Sequence, residues 1–320
     1  MPNLIITNQC QNNCSYCFTG EAKGITHLTV HTLEQWLPFI RSFKQETIHL
    51  VGGEPTENPQ FSSIVNLLLS NGFTLMIFSH GKIPESIVDG LSVMTDGPFR
   101  ICVNRTDLPL PTETKILYRK LGHCVSLGVT VFHHDQSIEH LFDEIQSFHL
   151  QSYFRLGIAL PSWPEAKNDY VDPQSYSSIA HSIFQSIQRG VTLGIRPEFD
   201  CGFPFCFFTK AQKDFLAQND IKFTSNCGII PDIGYQGNVI PCFPLSYFGE
   251  HIGPETKWSG LEKKLFFSIS GTSKKYLFAT CADCEFLDRK ECCGGCMALR
   301  IQERFGTNHR ISRHLLQNEV

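Results

Sequence analysis

Cys10, Cys14 and Cys17 are spaced C-x3-C-x2-C in the run Thr7-Asn-Gln-Cys-Gln-Asn-Asn-Cys-Ser-Tyr-Cys-Phe18. Each iron of a four-iron cubane takes one protein thiolate, so three cysteines leave one iron open to a small molecule that must itself chelate. A structural zinc knuckle is the alternative, and it needs a fourth Cys or His close by. The next histidine, His27, is ten residues past Cys17. A second segment, Gly52-Gly53-Glu54-Pro55-Thr56, follows the strand-like run Thr47–Val51 directly. Its glycines let a backbone come close to a ligand, and Pro55 fixes the turn and cannot donate a hydrogen bond. The carbonyls and the Glu54 carboxylate can then receive an ammonium group. A methyl at Gly53 is expected to weaken ligand binding there while leaving the metal on the cysteines intact.

Nine of the 14 cysteines lie beyond residue 200: Cys201, Cys206, Cys227, Cys242, Cys281, Cys284, Cys292, Cys293 and Cys296. Cys227 and Cys242 are spaced C-x9-G-x4-C around Gly237, on a predicted hairpin over Tyr235–Val239 that turns at Gln236-Gly237-Asn238. Cys281-Ala-Asp-Cys284 and Cys292-Cys-Gly-Gly-Cys296 follow. A pair of zinc ribbons is compatible with this spacing too. Cys102 and Cys124 read as buried, inert thiols.

On the two amino-terminal segments the chain resembles the radical S-adenosylmethionine (radical SAM) superfamily, whose hallmark is C-x3-C-x2-C with an aromatic residue beside the last cysteine. Tyr16 and Phe18 flank Cys17 here. The resemblance implies a [4Fe-4S] cluster on Cys10, Cys14 and Cys17. It also implies S-adenosylmethionine bound at its open iron, with the methionine amine on Gly52, Gly53, Glu54 and Pro55. Reductive cleavage would give a 5′-deoxyadenosyl radical that takes a hydrogen atom from a substrate. Polar groups at further strand ends, Ser79, Asn104 and Arg155, are candidate cofactor contacts; relatives often carry Thr-Asn-Gly where this chain has Ser79-His80-Gly81.

The cysteine field over about 197–300 resembles the SPASM and twitch class of extensions. That resemblance implies one or two auxiliary [4Fe-4S] clusters on Cys227, Cys242, Cys281, Cys284, Cys292 and Cys296. Two departures stand out: seven residues rather than the commoner five separate Cys284 from Cys292, and no cysteine follows Cys296. Cys201 and Cys206 could supply missing ligands. Nine thiols exceed the eight iron corners of two cubanes, so one is surplus. Cys206 or Cys293 is the candidate catalytic thiol, a hydrogen-atom donor or radical partner, with an inert buried cysteine as the alternative.

To position these groups the pattern predicts strands at Leu4–Thr7, Thr47–Val51, Thr74–Phe78, Phe99–Val103, Val129–His133 and Tyr153–Leu160, with amphipathic segments such as Thr32–Phe43 between them. Six β/α units predict an α/β fold, and the resemblance implies a partial (β/α)6 barrel with a small carboxy-terminal β-hairpin and cysteine-rich SPASM/twitch domain. Pro161–Glu165 reads as a loop, Ser175–Arg189 as a long helix, and Val191–Arg196 as a strand leaving the barrel. The boundary is placed at 196, giving a core over 1–196 and an auxiliary-cluster domain over 197–320 with a basic, helical tail.

At 320 residues the chain is long enough for two domains. Its 27 Lys and Arg against 31 Asp and Glu leave a net charge of −4, with no electrostatic footprint for nucleic acid or an anionic membrane. No apolar run is long enough to span a bilayer, and no signal-like pattern precedes Cys10, so a cytoplasmic protein with reduced thiols is expected. The 26 phenylalanines are expected to fill the core. By resemblance, the expected substrate is a ribosomally made peptide undergoing epimerisation, crosslinking or oxidation. Any leader peptide would bind the catalytic body or a partner protein, and electrons would come from a donor such as flavodoxin or ferredoxin. A small-metabolite dehydrogenase or cyclase is the alternative within the superfamily, and a non-catalytic iron–sulfur carrier is the alternative outside it.

Overall fold

The short apolar runs become seven parallel strands: β1 (Asn3–Ile5), β2 (Thr47–Val51), β3 (Thr74–Ser79), β4 (Phe99–Asn104), β5 (Val125–Val131), β6 (Tyr153–Ile158) and β7 (Arg196–Phe199). The computed structural model describes residues 1–19, 24–94, 98–106, 109–162, 167–225, 227–253, 255–265 and 276–305. Six crossover helices join the strands: α1 (Val30–Arg41), α2 (Phe61–Ser70), α3 (Glu85–Ser92), α4 (Thr112–Leu121), α5 (His140–Phe148) and α6 (Tyr176–Thr192). At the start of α1 the Thr29 hydroxyl accepts from the Thr32 N–H at 3.1 Å, satisfying a donor that no helical carbonyl can reach.

Three more strands, β8 (Asp232–Ile233), β9 (Asn238–Ile240) and β10 (Glu250–His251), extend this sheet. β8 pairs parallel with β1, while β9 and β10 add antiparallel, giving the order β10-β9-β8-β1-β2-β3-β4-β5-β6-β7. The sheet is not closed, so the architecture is α/β with a partial barrel.

Successive side chains of a strand point to opposite faces, and the two faces here differ in chemistry. Leu50, Ile77, Val103, Leu127 and Leu156 are fully buried and share one core with Leu33, Ile64, Val88, Leu117 and Leu141 of the helices. The alternate positions, His49, Phe78, Cys102, Asn104, Ser126 and Arg155, line the opposite face. Register aligns Phe78 with Cys102 and Ser126, and Asn104 with Gly128 and Arg155.

Some elements differ from expectation. β5 begins at Val125, not Val129, because Cys124–Val129 is buried without a break and shows no alternation to read. Val191 and Thr192 close α6, and the following strand starts only at Arg196. That strand pairs with β6, so the boundary expected at 196 falls inside the sheet. The hairpin turns earlier than Gln236-Gly237-Asn238: the Gly237 N–H donates to the Gly234 carbonyl at 2.8 Å, and Gly237 has φ +82°. Residues 163–166 of the expected loop and 306–320 of the expected tail lie outside the described residues; the helix Met297–Phe305 precedes the latter.

Candidate cofactor and iron–sulfur sites

The loop carrying Cys10, Cys14 and Cys17 leaves β1 and is gripped on several sides. Backbone N–H groups of Gly53 and Glu54 donate to the carbonyls of Thr7 and Gln9 at 2.9 and 2.7 Å. A Cβ on Gly53 would lie 2.1 Å from the Gln9 oxygen and 2.9 Å from Cys10 Cβ, and one on Gly52 would lie 2.4 Å from the Thr7 oxygen. The glycines therefore permit the post-β2 segment to dock on the cysteine loop itself. The expectation that a side chain at Gly53 spares the metal is corrected on this ground. From β6 onward, Asn168 Nδ2 donates to the Tyr16 carbonyl at 2.9 Å and the Asp169 N–H to the Ser15 carbonyl at 2.9 Å. Tyr16 stacks on Phe132 with centroids 4.8 Å apart. Burial, and then the Cys14 thiol, push the Tyr16 phenol well above its ordinary pKa.

Glu54 is completely buried, and its carboxylate accepts from the Thr56 hydroxyl at 2.8 Å, Ser79 Oγ at 3.1 Å and the His80 N–H at 2.9 Å. It clamps the end of β3 to the post-β2 turn. Ser79, expected as a cofactor contact, is 2% exposed and also accepts from the Gly81 N–H at 2.9 Å, so its hydroxyl is spent on this clamp. Arg105, which follows β4, is buried against Glu144 with Nε to Oε2 at 3.0 Å, and Tyr118 donates to the same carboxylate at 3.1 Å.

Asn104 and Arg155 remain on the open face. Asn104 Oδ1 is buried and without a hydrogen-bond partner, beside Gly128, where a Cβ would lie 2.6 Å from it. The Arg155 guanidinium sits 5.2 Å over the Phe78 ring and pairs with Asp200. Cys102 is buried on β4; burial pushes its thiol up to about 11. An orphaned polar atom, a cation on an aromatic face and three half-buried thiols at one end of the sheet fit a cluster and a polar, chelating cofactor.

The carboxy-terminal thiols divide into two sets. Burial, then Cys292 and Cys284, push the Cys206 thiol up, and burial, then Cys284, Cys206 and Cys292, do the same to Cys281. In the second set, burial, then Cys296, Asp232, Cys227 and Cys201, push Cys242 well above its ordinary value, and burial followed by Cys227 pushes Cys296 up to about 12. Cys292 is the exception: although burial acts upward, the Ser225 hydroxyl and the Phe205, Gly294 and Gly295 backbones hold its thiol below the ordinary range. The Ser225 and Gly294 contacts to its sulfur are both 3.3 Å.

A zinc tetrahedron with Zn–S bonds of 2.3 Å would bring thiols to about 3.8 Å from one another. Among the described residues, the one group of three ligand-type side chains with atoms within 4.8 Å is the exposed His133, His134 and Asp135, so no three thiols are drawn in that far. Cys206 and Cys293, expected as catalytic thiols, are placed otherwise. Cys206 belongs to the first set. Cys293 Sγ accepts from the Cys227 N–H at 3.0 Å and donates to the Ser225 carbonyl at 3.1 Å.

Three side chains of these sites were not anticipated: Asn168, Asp200 and Tyr176. The Tyr176 hydroxyl is buried without a hydrogen-bond partner, near Cys296 and Cys206.

Residues 4–142 match the model of the Radical SAM superfamily. An S-adenosylmethionine-dependent nucleotide dehydratase of Selenomonas ruminantium is 29% identical over 150 residues, 40% of this chain and 51% of that protein. A putative glycyl-radical enzyme activating enzyme of Methanocaldococcus jannaschii is 29% identical over 89 residues, 28% of this chain and 35% of that one. The chain thus spans about half, or less, of the curated relatives it matches. Native anSMEcpe with bound AdoMet and Kp18Cys peptide superposes with TM-score 0.66 at 17% identity, covering 100% of this chain and 95% of that chain. Streptococcus suis SuiB superposes with TM-score 0.66 at 16% identity, covering 98% and 77%. At such identities the likeness is one of fold. Residues 4–142, which carry the three-cysteine loop, thus match the radical SAM superfamily, and over the whole chain the likeness to anSMEcpe and SuiB is one of fold.

Proposed function

We propose that this protein is a radical SAM enzyme whose substrate is a ribosomally made peptide, modified by epimerisation, crosslinking or oxidation. The superfamily's cofactors are a [4Fe-4S] cluster and S-adenosylmethionine; bound together, they supply one-electron reductive cleavage of the sulfonium and a hydrogen-abstracting radical. In the reading offered here Cys10, Cys14 and Cys17 hold the cluster. The Glu54 carboxylate is committed to Thr56, Ser79 and His80, which leaves the backbone carbonyls of Gly52 and Gly53 for the methionine ammonium. Arg155 on the open face suits a carboxylate or a substrate carbonyl, and Asn104 Oδ1 suits a hydroxyl or amine donor. The electron donor is a small redox protein such as flavodoxin or ferredoxin, and the setting is the cytoplasm; among the described residues, no helix is long and apolar enough to cross a membrane.

The observation that carries this reading is the open polar face of the sheet, with the orphaned Asn104 Oδ1 at the same end as the gripped cysteine loop. The peptide arm draws on the fold shared with anSMEcpe and with SuiB, whose structures contain a bound peptide and the precursor peptide SuiA. A small-metabolite substrate is the second reading, favoured by the matched nucleotide dehydratase. Anaerobic protein with dithionite should form 5′-deoxyadenosine, and the Cys10, Cys14 and Cys17 to Ala variant should not; equal rates would refute the cofactor assignment. Deuterium passing into 5′-deoxyadenosine from labelled peptide supports the first substrate class, and from labelled nucleotide the second.

A further inference from the structure

Outside the cysteine-lined sites, one cluster of ligand-type side chains has no part in the chemistry argued above: His133, His134 and Asp135, between β5 and α5. One ligand atom from each lies within 4.8 Å of the other two. His134 Nε2 is 3.1 Å from Asp135 Oδ1, and the two imidazole rings lie against each other with centroids 4.5 Å apart and planes at 30°. Extended backbone would send neighbouring side chains to opposite sides. Here the chain turns instead: the Asp135 N–H donates to His133 Nδ1 and the Gln136 N–H to the His133 carbonyl, both at 3.3 Å.

The turn is braced before any ion arrives. Gln136 accepts from the Phe132 N–H at 3.0 Å through Oε1 and donates to the Thr130 carbonyl at 2.9 Å through Nε2, so one side chain satisfies the backbone at the end of β5. Val131 and Ile138, each 1% exposed, pin both flanks in the core. With the backbone held, an ion has only side-chain rotamers left to order. Phe132, stacked on Tyr16, joins this turn to the loop that carries Cys14 and Cys17.

The donor set selects the ion. Two imidazoles and one carboxylate, with no thiolate, suit a divalent first-row transition metal with water in its remaining positions. Calcium and magnesium favour oxygen ligands. All three residues are exposed, so the ion keeps part of its hydration, and the Asp135 carboxylate offsets part of its charge.

We propose that His133, His134 and Asp135 form a divalent transition-metal site, separate from the cysteine sites, whose occupancy stiffens the 132–136 turn and, through Phe132, the Tyr16 side of the cysteine loop. The site does not depend on which substrate the protein takes.

The test uses the full chain with its iron–sulfur sites reconstituted anaerobically and desalted, titrated with Ni²⁺ as the probe beside the His133→Gln/His134→Gln double variant. Thiols take up nickel too, so the readout is the difference between the two proteins. The parent should bind about one equivalent more than the double variant, and that difference should weaken in the order Ni²⁺, Co²⁺, Mn²⁺. Asp135→Asn should lose most of the extra uptake. In the parent alone, Ni²⁺ should slow hydrogen exchange across 132–136 and at Tyr16. Because the three side chains are exposed, the double variant should keep the parent's melting midpoint, which separates a lost ligand from a lost fold; if it melts early, His134→Gln alone takes its place. Equal nickel uptake in parent and variant overturns the site. Extra uptake without added protection overturns the stiffening.

Discussion

The amino-terminal cysteine loop and the carboxy-terminal cysteine field solve the same problem, holding thiols at fixed spacing, with different materials. The first hangs from a strand end and is gripped by backbone hydrogen bonds from Gly53 and Glu54 and by the Asn168 side chain. The second contains only short helices and turns between Cys281 and Cys296, and across the chain it meets the Phe205 ring and the Ser225 hydroxyl, the latter at the Cys292 sulfur. The first loop is preformed by the protein; the second, on the function proposed above, is completed by the metal its thiols would bind. Metal should therefore occupy the first site without building it, and build the second.

The strongest way to break this comparison is at Gly53. A Cβ there meets the Gln9 oxygen at 2.1 Å, far inside any tolerable contact, and the atoms it strikes are backbone. Gly53→Ala should abolish iron at the first site and with it deoxyadenosine formation, while the carboxy-terminal iron persists. Retention of the first cluster with merely weakened S-adenosylmethionine binding would show that the grip is dispensable.

Metal removal addresses the other side. Anaerobic chelation should expose residues 276–305 to proteolysis and hydrogen exchange while β2 to β6 stay protected, since those strands owe their order to an apolar core. Equal loss of protection in both regions would remove the distinction. A smaller effect is expected from Glu54→Ala, which strands the Ser79 hydroxyl and the His80 and Thr56 N–H groups in a buried site. At about 1–3 kcal/mol per unmet donor, and with incomplete additivity, the cost should be about 3 kcal/mol by urea denaturation. A change below about 1 kcal/mol would mean that the clamp is replaced by water.

Much of the first site was legible because ligand spacing and the glycine step are local. Cys10, Cys14, Cys17 and the turn after β2 stand where strand ends put them. What escaped is set by distance along the chain: Asn168 reaches Tyr16 across 152 residues, and Asp200 reaches Arg155 across 45. Ser79 read as a ligand because strand-end hydroxyls often are, and only the fold reveals that Glu54 claims it. In the second region the spacing suggested metal ligands but could not say which segments meet. Phe286 meets Phe205, and no periodicity encodes that contact. β5 was misplaced for a related reason, as a strand buried on both faces has no alternation.

The mildest prediction sharpens the contrast within the barrel. His49 lies on the open face of β2, its Nδ1 2.9 Å from Asn3 Oδ1 and its ring 5.3 Å from Phe78. Burial, then the positive amino terminus and Arg155, hold its pKa down to about 4 from an ordinary 6.5. Between those values the unfolded chain binds a proton that the folded chain refuses, so stability is complete above about pH 6.5 and falls as the solution is acidified toward pH 4. From pH 6.5 to 5 the loss should be about 1.6 kcal/mol, at 1.36 kcal/mol per unit and with the unfolded histidine already half protonated at pH 6.5. Urea midpoints of His49→Gln should vary less over that interval than those of the parent, because the substitute does not titrate. The effect belongs to the barrel alone, so it should survive removal of the carboxy-terminal metal. If the pH slope of His49→Gln matches the parent, the low proton affinity of the open face is not a property of His49, and the polar face is wetter than its contacts imply.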